Sequence, residues 1–206
     1  MIFGEIMDII LECANNFQNL IGTTYQCVVS KKRHLISFII DFKNTDFYHL
    51  AGFDYLSDIA INRNRIDTIE EIKKGIITDE LLSKSIHYKQ ILLSHLDIPS
   101  RIRELRYLEA YLDTNNMINI YNTRDGNNKN SLINAEFVIQ SRLPNSKTDV
   151  YIFLRKRKES DNYLVVSFFV KGAIIYSGEK LYWMLKRKNC LNDSKTLYQH
   201  KNYIEQ

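Results

Sequence analysis

The sequence predicts an α+β fold for this chain of 206 residues. A helix and a hairpin pattern open the chain, a helical block occupies its middle, and alternating strand patterns fill its last third. Because helices and strands are segregated along the chain, the order indicates helices packed against an antiparallel sheet rather than repeated β-α-β units. The length and the lack of repeats or Pro- and Gly-rich linkers predict a single domain over 1–206.

The N-terminal part predicts a helix over 1–22 followed by a β-hairpin. Apolar residues at steps of three and four, beginning at Phe3 and ending at Leu20, give the helix one apolar face. Two runs rich in β-branched and aromatic residues follow at 24–30 and 34–42, and the residues KKR separate them. A separation this short predicts a tight turn between two antiparallel strands.

The hairpin and the histidine motif that follows it together span 24–58. The motif DFYHLAGFDYL, residues 46–56, places His49 among aromatic and aliphatic neighbours and then adds a small residue and Gly52. A histidine in apolar surroundings is more often a hydrogen-bonded core or capping residue than a catalyst. The second interpretation is that His49 lies at the end of a strand, where Gly52 lets the chain turn away so that the imidazole faces a cleft.

The middle of the chain, 60–113, predicts a helical block. Thr68 and Glu71 have the spacing of a capping box, and Gly75 can end the helix that they begin. Pro99 interrupts the helical pattern, because proline lacks the amide hydrogen that a helix interior needs. The other helical segments are predicted at 78–85, 87–96 and 101–113.

The last third, 117–188, predicts an antiparallel sheet that a short helix closes. In the segment 132–143, apolar side chains alternate with polar ones, as in a strand with one buried face. The residues EKLYWMLKRK at 179–188 indicate the closing helix. The strands are predicted at 117–122, 132–143, 149–157, 162–170 and 173–178.

The composition is that of a soluble globular protein with a mildly basic charge. Hydrophobic residues make up 45% of the chain, and the net charge at pH 7 is +4. That charge permits a polyanionic partner without requiring one. Three basic clusters lie near the ends of predicted strands and of the closing helix, which favours a nucleic-acid-binding face over solvated loop ends. The clusters are 31–33, 155–158 and 186–188.

The cysteines and the apolar runs of the sequence indicate where in the cell the protein is expected. Cys13, Cys27 and Cys190 are an odd number and widely spaced, which argues against a disulfide framework and for a reducing compartment. Acidic residues interrupt the N-terminal apolar run, unlike a signal peptide, and no run reaches the roughly 18 apolar residues of a membrane span. We therefore expect a cytoplasmic protein that does not associate with membranes.

The sequence lacks the motifs of most cofactor- and metal-dependent chemistries. It contains no G-x-G-x-x-G, P-loop, H-E-x-x-H, C-x-x-C or G-x-S-x-G motif, and the spacing of His87 and His95 suits no helical metal pair. We expect no cofactor and no metal. The residue types that remain for a site are histidine, arginine, lysine, serine and tyrosine, with glutamate as a further candidate. These suffice for RNA cleavage by the substrate's own 2′-hydroxyl, which needs proton transfer and donors around the phosphate.

Three segments resemble, in order, the motifs of one nuclease family. FYHLAGFDYLSDI, directly after the strand HLISFIIDF, is similar to an F-x-H-L-x-G-[FL] signature. INAEFVIQ at 133–140 is similar to an A-[DE]-[YF] strand, and VYIFLRKRKESDNYLVVSFF at 150–169 to a strand–turn–strand that ends in S-F-F. The family is the fourth group of phage barnase–EndoU–colicin–RelE-like nucleases (PBECR type) in the BECR superfamily. The resemblance covers most of the chain, 24–185.

The resemblance implies a BECR-type ribonuclease fold, in which helices pack on an antiparallel sheet of four to five strands that carries the active site on one face. It implies a metal-independent endoribonuclease that is toxin-like or takes part in conflict between phages or mobile elements and their hosts. By analogy with the family, a structured RNA such as tRNA is the expected substrate. A toxin of this kind would have a neutralising partner, an antitoxin or immunity protein, acidic to match a basic face.

The resemblance also carries three catalytic candidates onto this sequence. His49 matches the histidine of the first motif and would act as acid or base, and Ser167 matches the serine of the last motif and would donate to the phosphate. Arg155 lies at the basic end of the preceding strand, where the family pattern is looser, and would hold the scissile phosphate. The substrate-binding candidates are Tyr48, Lys156, Arg157 and Lys171, with Tyr176 as a further ring that could stack on a base.

Each candidate also has a structural interpretation. The hydroxyl of Ser167, in the run VVSFF, could bond to a neighbouring carbonyl. Arg155 could project into water beyond the apolar part of its strand. Glu136, on the polar face of its strand, could act as a base but is more typical of a surface carboxylate.

The alternative function is a non-catalytic RNA- or protein-binding module on the same fold, with 60–113 as its docking element. Geometry separates the two hypotheses. Catalysis requires His49, Ser167 and a basic side chain in one cleft. A binding module instead allows His49 to bond to backbone groups inside the core, far from Ser167.

Overall fold

The computed structural model describes residues 8–88, 97–114, 116–122, 131–176 and 178–205. Within these ranges the chain forms α-helices, a short 3-10 helix at Phe53–Tyr55, and β-strands. The helices are α1 Ile9–Gln18, α2 Asn44–Leu50, α3 Thr68–Lys73, α4 Asp79–Ser83, α5 Ile98–Leu105 and α6 Leu108–Asp113. The strands are β1 Thr24–Lys31, β2 His34–Asp41, β3 Met117–Tyr121, β4 Phe137–Arg142, β5 Asp149–Lys156, β6 Tyr163–Val170, β7 Gly178–Cys190 and β8 Asp193–Gln199. No helix in the described ranges has the length and apolar character that crossing a membrane requires.

All eight strands belong to one sheet, in the order β1-β2-β6-β5-β4-β3-β7-β8. Strand β7 pairs with β3 at its start and with β1 along Tyr182–Asn189, so the sheet closes on itself. The strands from β1 round to β7 therefore form a closed barrel, and β8 extends it as the hairpin partner of β7. Neighbouring strands are antiparallel except β2 and β6, which run parallel where Ile40 lies opposite Tyr163.

The expected antiparallel sheet of four to five strands packed against helices is therefore wrong. The main cause is the segment 179–188, which was expected to form a closing helix and instead forms most of β7. Its side chains alternate as in a strand, because Leu181 and Trp183 are buried whereas Tyr182 between them is exposed. A short apolar run fits either the helix or the strand period, and here the pairing with distant strands decides between them.

The predicted N-terminal hairpin forms. Strands β1 and β2 pair along their whole length, from Thr24 opposite Asp41 to Lys31 opposite His34. Between them, residues 32 and 33 have positive φ angles of 46° and 74°, the conformation of a two-residue turn whose twist matches that of the flanking strands. The helix α1 lies within the predicted 1–22, of which 1–7 fall outside the described residues.

Other helices and strands begin or end at residues different from those predicted. Pro99 does not end a helix but lies in the first turn of α5, where Asp97 caps the helix by accepting a hydrogen bond from the backbone N–H of Ser100 at 3.1 Å. The predicted strand 132–143 is reduced to β4, and 173–176 is not part of a strand. The helical prediction for 89–96 falls outside the described residues.

Strand β5 separates two apolar clusters because its side chains alternate between two faces. Val150, Ile152 and Leu154 face the main core, to which the helices and the inner face of the sheet contribute. Tyr151 and Phe153 face the other way and belong to a second cluster, which we call the aromatic cluster. The aromatic cluster consists of Tyr121, Val138, Tyr151, Phe153, Val166, Phe169 and Tyr176.

Candidate active site

A cleft of about 690 Å³ opens on the outer face of strands β5 and β6. The three residues that the sequence predicted to be catalytic, His49, Arg155 and Ser167, all line it. They come from three elements, because α2 carries His49, β5 carries Arg155 and β6 carries Ser167. The structure thus brings together side chains that lie far apart in the sequence.

His49 lies in the last turn of helix α2 and not, as expected, at the end of a strand. Asp46 stabilises the first turn of this helix by accepting a hydrogen bond from the backbone N–H of Lys43 at 2.9 Å. The residues Phe47 and Leu50 are completely buried, so their spacing of three gives the helix an apolar face toward the core. The half-buried His49 lies off that face and reaches the cleft.

Gly52 is required where the chain leaves helix α2. Its φ angle is +83°, a left-handed conformation that glycine adopts without strain. A Cβ atom at this position would also lie 2.6 Å from Cδ1 of Ile98 and 3.3 Å from Cδ of Arg101. The turn at Gly52 brings the 3-10 helix, and with it Asp54, back toward His49.

Two buried arginines hold the ends of helix α2. At the first turn, Arg157 donates to the Asp46 carboxylate through Nη1 at 3.1 Å and Nη2 at 2.6 Å, and its Nε donates to Asp41. At the last turn, Nη1 of Arg101 donates to the carbonyl oxygen of His49 at 3.4 Å. Since both arginines are buried, these contacts fix the helix that carries His49 from the inside of the protein.

Nδ1 of His49 forms a hydrogen bond with the carboxylate of Asp54. Arg65 reinforces the pair, because its Nη2 donates to the other Asp54 oxygen at 3.2 Å. The hydrogen bond with His49, together with the positive charge of Arg65, holds the pKa of the Asp54 carboxyl below its usual value. An ionised Asp54 orients the imidazole through Nδ1, so Nε2 is the nitrogen left to exchange a proton with a ligand.

Ser167 reaches the cleft next to a β-bulge in strand β6. Phe153 of β5 lies opposite Ser167, but the next residue, Leu154, lies opposite Val165, so Val166 is an extra residue. Leu164, Val165, Val166 and Ser167 of this strand all line the cleft. Ser167 is the polar residue among them.

Arg155 and Ser167 have no side-chain partner among the described residues. The guanidinium of Arg155 forms no hydrogen bond or ion pair within the described ranges, whereas Nζ of the adjacent Lys156 lies 2.6 Å from the carboxylate of Asp161. The hydroxyl of Ser167 bonds to no carbonyl in that part of the chain, although the residue is only 9% exposed. Both groups can therefore bind a ligand without giving up an internal interaction.

The four predicted substrate-binding residues do not line the cleft. They are Tyr48, Lys156, Arg157 and Lys171. Tyr48 is buried in α2, Arg157 is buried in its contacts with that helix, and Nζ of Lys171 lies 3.8 Å from the Asp149 carboxylate. A run such as RKRK shows that the end of a strand is basic, but tertiary packing decides which of its side chains face a cleft.

Further cleft residues have weak signals in the sequence. Asp54 follows His49 by five residues, across Gly52, a spacing that no common motif uses, and sequence analysis missed it. It also missed Tyr55 and Arg65, which line the cleft beside Asp54. Tyr176, considered as a ring that could stack on a base, does line the cleft.

Glu136, considered as a base, lies outside the cleft lining. Its carboxylate accepts hydrogen bonds from the backbone N–H of Lys156 at 3.1 Å and from the hydroxyl of Tyr163 at 2.7 Å, so it holds neighbouring strands together. No three His, Cys, Asp or Glu side chains in the described part of the chain are arranged to hold a metal ion.

Intramolecular ion pairs occupy much of the predicted basic face. The pairs are Lys31–Glu179, Lys156–Asp161, Arg187–Glu205 and Lys188–Glu109. Lys186, in the third predicted basic cluster, is buried. The arginines that line the cleft are Arg65, which is shared with Asp54, and Arg155.

Comparison with known proteins relates the chain to a family of nucleases. No curated protein and no solved structure matches the chain. The model of the family described as "phage-Barnase-EndoU-ColicinE5/D-RelE like nuclease4" matches residues 9–203, which include His49, Arg155 and Ser167. The match confirms the resemblance of the three sequence motifs to that family. This chain is therefore a member of the fourth family of phage barnase–EndoU–colicin E5/D–RelE-like nucleases.

Proposed function

We propose that the protein is a metal-independent endoribonuclease that cuts RNA through the substrate's own 2′-hydroxyl and leaves a 2′,3′-cyclic phosphate. The observation that carries the proposal is the pairing of His49 with Asp54 at a cleft that Arg155 and Ser167 also line. Membership of a nuclease family supports phosphodiester cleavage in general. RNA fits in particular, because an internal nucleophile needs only a proton acceptor and donors to the phosphate.

His49 transfers the proton in this mechanism. Its Nε2 accepts the proton of the 2′-hydroxyl while the 2′-oxygen attacks phosphorus, the bond from phosphorus to the 5′-oxygen breaks, and the cyclic phosphate forms. The departing 5′-oxygen takes a proton from the imidazolium or from water. Asp54 keeps the ring in place through Nδ1 and stabilises the imidazolium while it carries the extra proton.

Arg155 and Ser167 bind the phosphate in this mechanism. Negative charge builds on the non-bridging oxygens during the attack, and a guanidinium can donate to two of them at once. A serine hydroxyl adds a neutral donor. Because neither side chain is engaged with the described residues, their hydrogen-bonding capacity is available to the substrate.

The same geometry supports catalysis over the alternative of a non-catalytic binding module. That alternative expects His49 to bond to backbone groups inside the core, far from Ser167. Instead, the imidazole bonds to a carboxylate and lines the same cleft as Ser167.

The proposal extends to substrate and setting by analogy with the family. A structured RNA such as tRNA is the substrate to test first, for a toxin-like protein of phage or mobile-element conflict that acts in the cytoplasm. An antitoxin or immunity protein would neutralise it, and an acidic partner would suit a chain with a net charge of +4.

The test is to incubate the purified protein with total RNA in EDTA and to analyse the fragment ends. The wild-type protein is expected to leave 2′,3′-cyclic phosphate ends, and His49→Ala is expected to lose this activity. His34→Ala replaces an exposed histidine outside the cleft and should cut normally. If the wild type cuts RNA only when EDTA is omitted, metal independence is wrong. If it cuts nothing with or without EDTA but is retained with RNA on a filter, the protein is a binding module.

A further inference from the structure

The cleft has a second set of lining side chains that differs in chemistry from His49, Arg155 and Ser167. These side chains are aliphatic or aromatic, and they come from the 3-10 helix and from the segments that precede β4 and β7. We call them the apolar wall. The apolar wall consists of Tyr55, Leu132, Ile133, Ile174 and Tyr176.

Part of the apolar wall is exposed to solvent. The exposed fraction is 36% for Tyr55, 43% for Ile174 and 100% for Leu132. A single exposed apolar residue is ordinary on a protein surface. Several of them around one cleft form a patch that a ligand can cover, and here the patch adjoins a guanidinium and a hydroxyl that are available to an anion.

The aromatic members of the apolar wall are held in place from behind. The ring centroid of Tyr176 lies 5.3 Å from those of Tyr151 and Phe153 in the aromatic cluster, and the rings meet edge to face. The guanidinium of Arg101 lies 5.5 Å from the centroid of the Tyr55 ring. Tyr176 is itself only 7% exposed, so Tyr55 is the ring that offers more surface to a flat ligand. Because the Tyr55 ring is already packed, a ligand can contact it with little loss of side-chain freedom.

We propose that the apolar wall binds the nucleobase next to the scissile phosphate, so that the substrate must be unpaired at the cut. The inference rests on the proposed endoribonuclease function and names its substrate class. A nucleotide joins an anion to a flat ring with apolar faces, which matches the two kinds of lining in this cleft. In duplex RNA the faces of each base are hidden in the stack, whereas in a loop or a single strand they are free to lie against aromatic side chains.

The test measures binding separately from cutting. It uses oligonucleotides of 2′-O-methyl RNA, because a blocked 2′-oxygen cannot attack the phosphate. The wild-type protein is expected to bind a single strand about tenfold more tightly than a duplex of the same sequence, and about tenfold more tightly than a strand of equal length without bases. Equal affinity for all three would overturn the proposal, because phosphate contacts alone would then explain binding.

Substitutions in the apolar wall test whether its side chains contact the base. Tyr55→Ala should weaken binding of the single strand about tenfold, whereas Tyr55→Phe keeps the ring and should bind like the wild type. The matched control is Tyr182→Ala, which removes a tyrosine that is 61% exposed on β7, outside the cleft. If Tyr55→Ala binds as tightly as Tyr182→Ala, the Tyr55 ring does not hold a base.

A second pair of variants leaves the Tyr55 ring in place. Ile174→Ser should weaken binding of the single strand several-fold. Ile76→Ser, which changes an isoleucine that is 58% exposed outside the cleft, should not. If neither Tyr55→Ala nor Ile174→Ser weakens binding, the apolar wall is not a base site.

The outcomes also separate this inference from the proposed function. A protein that prefers the single strand but cuts no RNA would retain the base site and lose the proposed catalysis. A protein that cuts RNA but binds the strand without bases equally well would retain the catalysis and lose the base site.

Discussion

Arg157 donates to Asp46 through two nitrogen atoms, and the side chains of the two residues are only 4% and 7% exposed. Taking such a pair out of water is costly, and loss of one partner leaves an uncompensated charge in the protein interior. Asp46 lies in the first turn of α2 and His49 in the last. The pair therefore connects the end of β5 to the helix that carries the candidate catalytic histidine.

Replacing one partner of this pair should destabilise the fold. Arg157→Met should lower the free energy of unfolding by about 3–5 kcal/mol, because the Asp46 carboxylate is then buried without its cationic partner. Arg157→Lys should also destabilise it, since an ammonium cannot reproduce the two parallel contacts of a guanidinium. Urea denaturation measures both effects. The double variant Arg157→Met with Asp46→Leu should lose less than the sum of the two single losses.

The control for this prediction is a pair of the same chemistry whose arginine is exposed. The side chain of Arg142, which donates to Asp149 at 2.6 Å, is 55% exposed. Arg142→Met should cost less than about 1 kcal/mol, because water can replace the lost partner. Equal losses for Arg142→Met and Arg157→Met would show that burial does not set the strength of the Arg157 contact.

Asp54→Asn should reduce RNA cleavage by about 100-fold, while the protein stays folded. An amide does not hold the imidazole of His49 as a carboxylate does, and it does not stabilise the protonated form of the ring. The loss should appear in kcat more than in KM. Single-turnover cleavage assays with circular dichroism as the folding check provide the measurement. The control is Asp161→Asn, which changes an exposed carboxylate outside the cleft. Unchanged kcat in Asp54→Asn would remove Asp54 from the proposed site.

Arg155 and its neighbour Lys156 form a matched pair of cations on β5. Arg155→Gln should lower kcat/KM by about 100-fold, since it removes a donor to the phosphate where charge builds. Lys156→Gln should have little effect, because Lys156 lies outside the cleft and its ammonium is paired with Asp161. Both variants should be compared on the same RNA at the same salt concentration. Equal effects would indicate that only the overall positive charge matters.

Lys186 should make the free energy of unfolding depend on pH. Its ammonium is buried and donates to the carbonyl oxygens of Leu112 and Thr114, and burial lowers its pKa to about 8. In the unfolded chain the pKa returns to about 10.4. Between these two values the unfolded chain binds more protons than the folded one, so the free energy of unfolding rises with pH.

Lys186→Met should remove this rise. Between about pH 7.5 and about pH 9.5, the wild-type protein should gain about 2 kcal/mol of unfolding free energy relative to the variant. The absolute stability of the variant can shift either way, because methionine leaves two carbonyl groups without a donor. The comparison therefore uses the pH dependence from urea denaturation. Parallel curves for the two proteins would show that Lys186 titrates in the folded state as it does in water.

Local patterns predicted the elements that depend on neighbouring residues. The hairpin of β1 and β2 follows from two strand-forming runs separated by a short turn, and the antiparallel pair of β5 and β6 follows in the same way. Closure of the barrel could not be predicted, because it depends on the pairing of Tyr182–Asn189 with a strand near the other end of the chain. The apolar run in β7 satisfied the helix period equally well.

The candidate site was likewise predictable from the sequence only in part. His49, Arg155 and Ser167 came from motif resemblance, and the structure brings them to one cleft. Asp54 was missed because its role depends on the turn at Gly52, which the sequence does not specify in three dimensions. Arg157 was assigned to the substrate because a basic run carries no information about which of its members is buried.

Closure of the barrel has a consequence for the order of events during synthesis. Strand β1 is synthesised well before its partner β7, so β1 waits with one edge unpaired while α2, β5 and β6 are already present. Pairing between segments so distant in the chain is slow compared with hairpin formation. A nascent chain thus carries every residue of the candidate site before it has the enclosed sheet that supports them. The sheet around the candidate site therefore closes only after the residues of the site have been made.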